Sequence, residues 1–453
     1  MNSFFYHLSH LFVSCFLILI VLSCSKEDKI PFADAKNLNQ IAEGFVILSL
    51  ATAHFDNDLV DSYFGPDSLK KKADNLNLPL DTIKLSCEIL IKNLDNIDSI
   101  VFNKNEKLRL RFLKRQLKAL DTRLDFLLGK KLDFDSESFA YYDITAPVYS
   151  LKYYEQILDT LNKIVPGNGN LAQRYQSFRN KFIIPKDKID TVFKSALKKS
   201  KEKTYQYIKI LPENESFTIE YVTDKPWGGY NWFQGDGHSL IQVNIELPVF
   251  IDRALDLACH EGYPGHHLFH TLSETILYKK NKWVEFSIYL LFSPQAIISE
   301  GTANYAVELT FDSKEKTDFE KNILFPLAGI NTYQYDLYQK IQYYIKKLSF
   351  ISVETARRYL NGNLTRDQAI EWLMKYQLQD RQRAERSIKF FDKYRSYIIN
   401  YHVGQELVES YFNSKVSNKD TKSKWQLFTD IITKPTLPGD LMDKGKYAKA
   451  EKK

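Results

Sequence analysis

The most informative part of the chain reads ACHEGYPGHH over residues 258–267. It places three of the nine histidines within eight residues, beside the carboxylate of Glu261. A His-Glu pair opens the HExxH motif of zinc hydrolases, in which histidines at positions i and i+4 bind the metal and the glutamate activates water. Counting from His260, position i+4 is Pro264, which offers no ligand atom. The stretch therefore predicts a metal site only if the chain departs here from a regular helix.

A straight helix would keep the histidines too far apart. On such a helix His266 would lie about 9 Å along the axis from His260, and His267 about 10.5 Å, whereas ligands share one ion at bond lengths of about 2.1 Å. Pro264 removes an N–H and clashes with the preceding turn, and Gly265 tolerates backbone angles that other residues avoid. We therefore predict a break or bulge that brings His266 back beside His260, with His267 as the alternate ligand.

A zinc-hydrolase site also needs a third protein ligand and an open position for water. The best third ligand is Glu300, in the stretch SEGTANYAVE over residues 299–308. Asn304 and Glu308 follow on the same helical face, from which a side chain can orient a ligating imidazole. The sequence thus predicts one metal centre built from two distant segments.

The chain is predicted to be helical on both sides of this centre. From about Asp34 to Ile210, apolar residues recur at three- and four-residue spacing, with Lys and Arg on the opposite face. Further along, Ser293-Pro294 is typical of a helix N-cap and first position, and Thr365 opens a capping box.

A short β segment interrupts the helical pattern between Ser216 and Pro248. β-branched and aromatic residues flank a Gly-Asp-Gly turn at 235–237, and side chains alternate between two faces from Leu240 to Ile245. The pattern predicts a hairpin immediately upstream of the His-Glu stretch.

The overall composition favours a large helical protein without a polybasic surface. Of the 453 residues, 62 are Lys or Arg and 56 are Asp or Glu, for a net charge of +6. This balance excludes a polybasic nucleic-acid binder as the default function. Apolar residues make up 44% of the chain, and only 17 Gly and 14 Pro interrupt it, so large helical cores can form.

The first 25 residues contain no Lys, Arg, Asp or Glu. The apolar run from Leu11 to Ser23 has the length of a signal-peptide core and is shorter than the roughly 20 residues that span a membrane. It leads into Cys24, which resembles the lipidated cysteine of a bacterial lipobox. We therefore predict a signal peptide over 1–23, a lipid anchor on Cys24 in a bacterial membrane, and a location in the cell envelope. An uncleaved N-terminal anchor is the alternative.

Two cysteines remain once the N-terminal segment is set aside. Cys87 and Cys259 each lie in an apolar stretch of helical character. Two buried free thiols are favoured over a single disulfide.

Four segments are predicted along the chain. They are the signal peptide over 1–23, a helical N-terminal lobe over 24–214, a catalytic lobe over 215–412, and a C-terminal tail over 413–453. The sequence does not determine the oligomeric state.

These motifs together resemble a bacterial family of domain-of-unknown-function proteins that carry HExxPGHH and are grouped with gluzincin zinc metallopeptidases. The matching stretches are 235–244, 256–267, the Glu300-Gly301 helix and, more weakly, 395–405. The resemblance implies a mainly α, gluzincin-like fold, in which helical lobes surround a cleft and a small β-hairpin or sheet precedes the active-site helix. It also implies one zinc ion, held by His260, Glu300 and either His266 or His267, with Glu261 as general base.

The β segment gains a role from the same resemblance. In zinc peptidases of this kind, an edge strand upstream of the His-Glu helix pairs with the substrate backbone. The strand Leu240–Ile245 would be that edge, with Gln242 and Asn244 contacting the substrate. The alternative is a strand that only stabilises a hairpin.

A donor for the oxyanion is expected from the C-terminal part of the chain. We favour Tyr397 as the phenol donor and Arg395 as a carboxylate or oxyanion partner. His402-Val403 stands where many members of the family have Trp-Pro before Gly-Gln, so the match in this segment is weaker.

The function predicted from these residues is hydrolysis of peptide bonds by a membrane-anchored zinc enzyme. Two alternatives are a non-catalytic lipoprotein that binds peptides or proteins on the same fold, and a zinc hydrolase of non-peptide amides or esters. Intact Glu261 favours catalysis, because a binding protein would not need a general base.

Overall fold

Helices dominate the protein, as the sequence predicts. The computed structural model describes residues 30–225, 227–417 and 420–442. The predicted signal peptide and the lipidation site Cys24 lie outside the described residues. Within the described ranges, no helix is both long and apolar enough to cross a membrane.

Among the described residues, the N-terminal half contains eight α-helices and one short strand, β1. In chain order the elements are α1 (Leu38–Thr52), β1 (Val60–Tyr63), α2 (Asp67–Leu76), α3 (Leu80–Asp95), α4 (Lys104–Leu127), α5 (Phe134–Tyr142), α6 (Leu151–Ile164), α7 (Leu171–Arg179) and α8 (Ile189–Tyr207). Asparagine and aspartate side chains cap several of these helices, and Asn103 forms a full capping box on α4.

A three-stranded sheet follows, with β2 (Ser216–Val222), β3 (Gly229–Gly235) and β4 (His238–Asn244). Its order is β2-β4-β3, with β4 antiparallel to β3 and parallel to β2. The predicted hairpin is therefore present as β3 and β4. The prediction that Leu240–Ile245 forms an edge strand is wrong, because β4 is the central strand, with β3 on one side and β2 on the other.

The segment after the sheet carries the histidine cluster and a second, smaller sheet. Its elements are α9 (Ile251–Leu257), a π-helical turn (Ala258–Gly262), α10 (His266–Leu272), a second π-helical segment (Ser273–Lys280), a 3₁₀ turn (Val284–Ser287) and β5 (Ile288–Leu290). Strand β5 pairs antiparallel with β1, although the two are far apart in the chain. This pairing brings the N-terminal region to the histidine cluster.

The remaining elements are almost all helical. They are α11 (Pro294–Asn304), α12 (Ala306–Thr310), α13 (Ser313–Phe319), a π-helical turn (Glu320–Leu324), α14 (Phe325–Ala328), α15 (Tyr335–Leu348), α16 (Ile351–Leu360), α17 (Arg366–Tyr376), α18 (Arg381–Tyr394), a 3₁₀ turn (Arg395–Ile398), α19 (Ile399–Lys415), α20 (Thr421–Ile432) and α21 (Pro438–Leu441). Two predicted helix starts are confirmed: Ser293 precedes Pro294 at the start of α11, and Thr365 forms a capping box on α17.

Most buried apolar side chains belong to one continuous cluster, which draws on elements from Phe45 in α1 to Val403 in α19. The cluster also takes in Trp425 of α20, so part of the predicted C-terminal tail packs on the body of the protein. Cys87 and Cys259 are buried free thiols, as predicted.

Candidate metal centre

The helix that carries His260 breaks where the sequence predicts. Helix α9 runs into the π-helical turn, which ends at Gly262, and α10 begins at His266. A Cβ on Gly265 would lie 1.9 Å from the carbonyl oxygen of His260 and 2.4 Å from that of Cys259. Only glycine fits such a close approach of backbone to backbone. The expected break at Pro264-Gly265 is thus confirmed, and the chain folds back onto the turn it has just left.

The break brings His260 and His266 together with Glu300 from α11. The two Nε2 atoms lie 3.1 Å apart, and Oε2 of Glu300 lies 3.5 Å from Nε2 of His260 and 3.9 Å from Nε2 of His266. Ligands bound to one tetrahedral ion at about 2.1 Å are about 3.4 Å from one another. The three observed separations bracket that value, so these atoms have the spacing of a single-ion site.

His267 points away from this group. Its ring is fully buried, with Nδ1 2.8 Å from Oγ of Ser239 and Nε2 2.7 Å from Oε2 of Glu215. Both ring nitrogens are therefore engaged elsewhere. Of the two alternatives raised by the sequence, His266 is the one that lies beside His260.

Polar neighbours orient the two imidazoles. Nδ1 of His266 lies 3.1 Å from Oγ of Ser299, and His260 has a hydrogen bond with the side chain of Asn304. Each contact fixes the ring while Nε2 faces Glu300. Glu308, the other expected orienting residue, instead accepts a hydrogen bond from Nζ of Lys346 at 2.7 Å.

Two buried carboxylates belong to this region, and the charge of Glu300 acts on Glu261. Glu261 and Glu300 are 3% and 6% exposed, and Oε2 of each has no hydrogen-bond partner among the described residues. Burial raises the pKa of Glu300 to about 8, although the hydrogen bond from Tyr397 acts to lower it. Burial, and after it the charge of Glu300, raises the pKa of Glu261 well above its ordinary value. Unpartnered buried carboxylate oxygens are costly, and a divalent cation compensates them. The donor set therefore fits zinc.

The imidazoles are neutral in this environment. Burial, followed by the positive charge of Arg253, lowers the pKa of His260 to about 3, and burial and the neighbouring His260 lower the pKa of His266 well below its usual value. A neutral imidazole is the form that binds a metal. No proton needs to leave either ring near pH 7 for the site to bind an ion.

Tyr397 lies in the site and Arg395 does not contact it. The Tyr397 hydroxyl donates a hydrogen bond of 3.0 Å to Oε1 of Glu300. The guanidinium of Arg395 instead donates from Nε to Oε2 of Glu137 at 2.6 Å. Ser396 also donates to this carboxylate, so Glu137 joins α5 to the turn before α19. The contacts of Arg395 serve the fold and give no support to its predicted role with the oxyanion.

The two predicted substrate residues are engaged in the sheet. Asn244 is buried, its Nδ2 donates to the carbonyl oxygens of Lys225 and Trp227, and its Oδ1 accepts from the amide of Glu246. Gln242 accepts from Nε1 of Trp232 and donates to Glu220. The contacts of Asn244 stabilise the β2–β3 connection and leave none of its side-chain groups for a substrate.

The strand that lies beside Glu261 is β3. A Cβ on Gly229 would be 2.9 Å from Oε1 of Glu261, and Nδ2 of Asn231 donates a hydrogen bond of 2.6 Å to the backbone oxygen of Glu261. Strand β3 is also an edge of its sheet. The edge expected upstream of the His-Glu helix thus exists, one strand earlier than predicted.

One acidic group near the centre was not identified in the sequence. Asp61 on β1 accepts a hydrogen bond from the Tyr230 hydroxyl, and its charge acts on both Glu261 and Glu300. Burial raises the pKa of Asp61 to about 7. No local pattern marks this residue, since it arrives only through the pairing of β1 with β5.

Known proteins resemble this chain only distantly. No protein-family model and no curated protein matches it. A solved structure from Colwellia psychrerythraea, provisionally described as a lipoprotein, has a TM-score of 0.48 and 13% identity over 82% of this chain and 71% of its own. A protein of unknown function from Shewanella oneidensis, also provisionally described as a lipoprotein, has a TM-score of 0.44 and 14% identity over 92% of this chain and 79% of its own. The case for a function therefore rests on the site itself.

Proposed function

We propose that this protein is a zinc-dependent hydrolase that cleaves peptide bonds. The observation that carries the proposal is the spacing of His260, His266 and Glu300, whose ligand atoms lie within 4.8 Å of one another beside buried Glu261. His260, His266 and Glu300 would hold the ion. Zinc, when bound there, polarises a carbonyl and lowers the pKa of water.

Glu261 acts as the general base in this proposal. It directly follows a ligand in the chain, and its Oε2 has no hydrogen-bond partner among the described residues, so that oxygen is free to take a proton from water. The same carboxyl group then passes the proton to the leaving amine. The close packing of Gly229 against Oε1 fixes the side chain in place for both transfers.

Tyr397 stabilises the charge that develops on the substrate oxygen. Its hydroxyl is already held within the group by Glu300 at 3.0 Å, so a short rotation redirects the donor. The peptide would add to the free edge of β3, whose residues flank Glu261. Trp232 on this strand has a side chain that is 42% exposed and offers an apolar surface to a substrate side chain.

The N-terminal sequence places this chemistry in the cell envelope. A lipid on Cys24 would tether the body of the protein to a bacterial membrane. The alternatives, a peptide-binding lipoprotein without catalysis and a hydrolase of other amides or esters, predict different outcomes of the same experiment.

The test compares Glu261→Gln with wild type in the full chain. We expect about one zinc per chain in both proteins, cleavage of a mixed peptide library by wild type, and loss of cleavage in the variant by at least about 10²-fold. Glu371→Gln is the matched control, because Glu371 is exposed on α17. Equal cleavage by wild type and Glu261→Gln would refute the proposal. Zinc-free protein that binds peptides would favour the peptide-binding lipoprotein. Cleavage of esters alone would favour the hydrolase of non-peptide substrates.

A further inference from the structure

Three arginines converge next to the metal centre from three different helices. Arg179 ends α7, Arg253 lies on α9, and Arg383 lies in the first turn of α18. The Arg179 guanidinium carbon lies 3.7 Å from the ring centre of Phe250, which is the residue just before α9. Nε2 of Gln176 on α7 donates a hydrogen bond of 2.8 Å to the backbone oxygen of residue 378, just before α18. These contacts hold the three helix ends together.

Two of the three arginines lack an ion pair among the described residues. Arg253 pairs with Asp256, but neither Arg179 nor Arg383 forms an ion pair in the part of the chain that the structure describes. Arg179 is only 8% exposed, and its Nε has no hydrogen-bond partner there. Burial, followed by the charge of Arg179, lowers the pKa of Arg383, as expected for cations held close together.

The nearby acidic groups are committed to other contacts. Asp252 on α9 accepts a hydrogen bond of 2.6 Å from the Tyr338 hydroxyl, and Asp380 caps α18 through the amide of Arg383. The charges of these two carboxylates act on Arg253 and Arg383, but neither carboxylate forms an ion pair with Arg179 or Arg383 in the part of the chain that the structure describes.

Solvent reaches the cluster, and it lies close to the catalytic group. Arg383 is exposed, and the side chain of Arg253 is 47% exposed. Arg253 precedes His260 by seven residues, which is at most about 10.5 Å along the axis, because the α-helix passes into the π-helical turn between them. Its charge acts on both His260 and Glu261. Arg253 therefore lies near a ligand bound at the metal centre.

We propose that Arg179, Arg253 and Arg383 form a subsite for a carboxylate group of the substrate. This inference rests on the proposed peptidase function and names its substrate class. An extended peptide advances about 3.3 Å per residue, so about three residues cover the helical distance between His260 and Arg253, and fewer are needed when the arginine reaches toward the centre. The carboxylate is therefore the C-terminal one of a peptide cleaved close to its end, or an acidic side chain at the same position.

The test measures binding of three peptides to the zinc-loaded Glu261→Gln protein by calorimetry. The probes are an N-acetylated alanine–phenylalanine–alanine tripeptide with a free C-terminus, its C-terminal amide, and an amide in which the last residue is glutamate. We expect the free acid to bind at least about tenfold more tightly than its amide, because guanidinium–carboxylate hydrogen bonds are strong. Tight binding of the glutamate amide as well would assign the carboxylate to side chains, and weak binding would assign it to the C-terminus.

Arg383→Gln then tests the cluster itself. This side chain makes no ion pair in the described ranges, so its replacement breaks none, and we expect the affinity ratio of acid to amide to fall toward one. Arg381→Gln is the matched control, because Arg381 lies on the same helix and pairs with Glu385. An acid-to-amide affinity ratio near one in the starting protein, or a ratio unchanged by Arg383→Gln, would overturn the inference. If the preference is present but wild type cleaves no peptide, the subsite stands and the peptidase proposal fails.

Discussion

The contact between Gly301 and Gly404 makes a quantitative prediction. Helices α11 and α19 cross there, and a Cβ on Gly301 would lie 2.5 Å from the carbonyl oxygen of Gly404 and 2.7 Å from its carbonyl carbon. Ordinary contact begins at 3.4 Å, so Gly301→Ala must separate the two backbones by about 0.9 Å. We expect this overpacking to reduce the free energy of unfolding by about 1–3 kcal/mol.

The same displacement acts on the metal centre. Glu300 is on α11, and Tyr397 is in the 3₁₀ turn that leads into α19. Their hydrogen bond of 3.0 Å therefore stretches toward 3.9 Å, beyond hydrogen-bonding distance. We therefore expect weaker zinc binding and lower activity, in addition to the loss of stability. Urea unfolding measures the first effect, and zinc titration against a chromophoric chelator measures the second.

Gly228→Ala is the control for this experiment, because a Cβ at Gly228 meets nothing within 4 Å and its backbone has no positive φ. The reasoning is refuted if Gly301→Ala unfolds at the wild-type urea concentration and keeps the wild-type zinc affinity. It is also refuted if Gly228→Ala loses as much stability as Gly301→Ala.

Two further predictions concern single side chains. Tyr397→Phe should bind zinc more weakly, because Glu300 loses the hydrogen bond from the phenol. At saturating zinc the variant should lose about 10²–10³-fold in kcat with little change in KM, as measured by steady-state kinetics; an unchanged kcat would exclude the phenol as a donor. Burial would raise the pKa of Glu215, but hydrogen bonds from groups such as His267 and Lys201 hold it below its ordinary value. The contribution of ionised Glu215 to the free energy of unfolding is therefore fully present above its unfolded-state pKa of about 4.3. It is lost as the pH falls through the lower folded-state pKa. Urea unfolding between pH 3 and pH 7 should show a shallower decline below pH 4.3 in Glu215→Gln than in wild type, and parallel declines would contradict this assignment.

Local sequence patterns predicted the helix break well. Pro264 and Gly265 mark it because each has a backbone property that a regular helix does not tolerate, and these properties act within a few residues. Helix geometry then showed that a break is needed to bring His266 or the alternate, His267, beside His260. The approach of Glu300 could be expected only because a metal site needs a third ligand, and its role as a ligand stays a prediction.

Features that depend on distant pairing were predicted less well. The position of β4 in the sheet depends on β2, whose parallel pairing leaves no mark in the alternation of Leu240–Ile245. Asp61 reaches the centre through a strand pairing that the sequence near it does not encode. Arg395 has the chemistry of an oxyanion partner, but a buried carboxylate from a distant helix, Glu137, takes its guanidinium.

The pairing of β1 with β5 also bears on how the protein matures. Val60 lies opposite Leu290 in this ladder, and Tyr397 comes from still later in the chain. The centre therefore joins segments that leave the ribosome at widely separated times. If the protein is exported, they also cross the membrane at different times. Contacts of such long range form slowly, since the intervening chain must first be ordered. A metal ion that binds at this centre would then be captured late, after folding and not during it. An exported protein of this design would acquire its zinc in the compartment where it works.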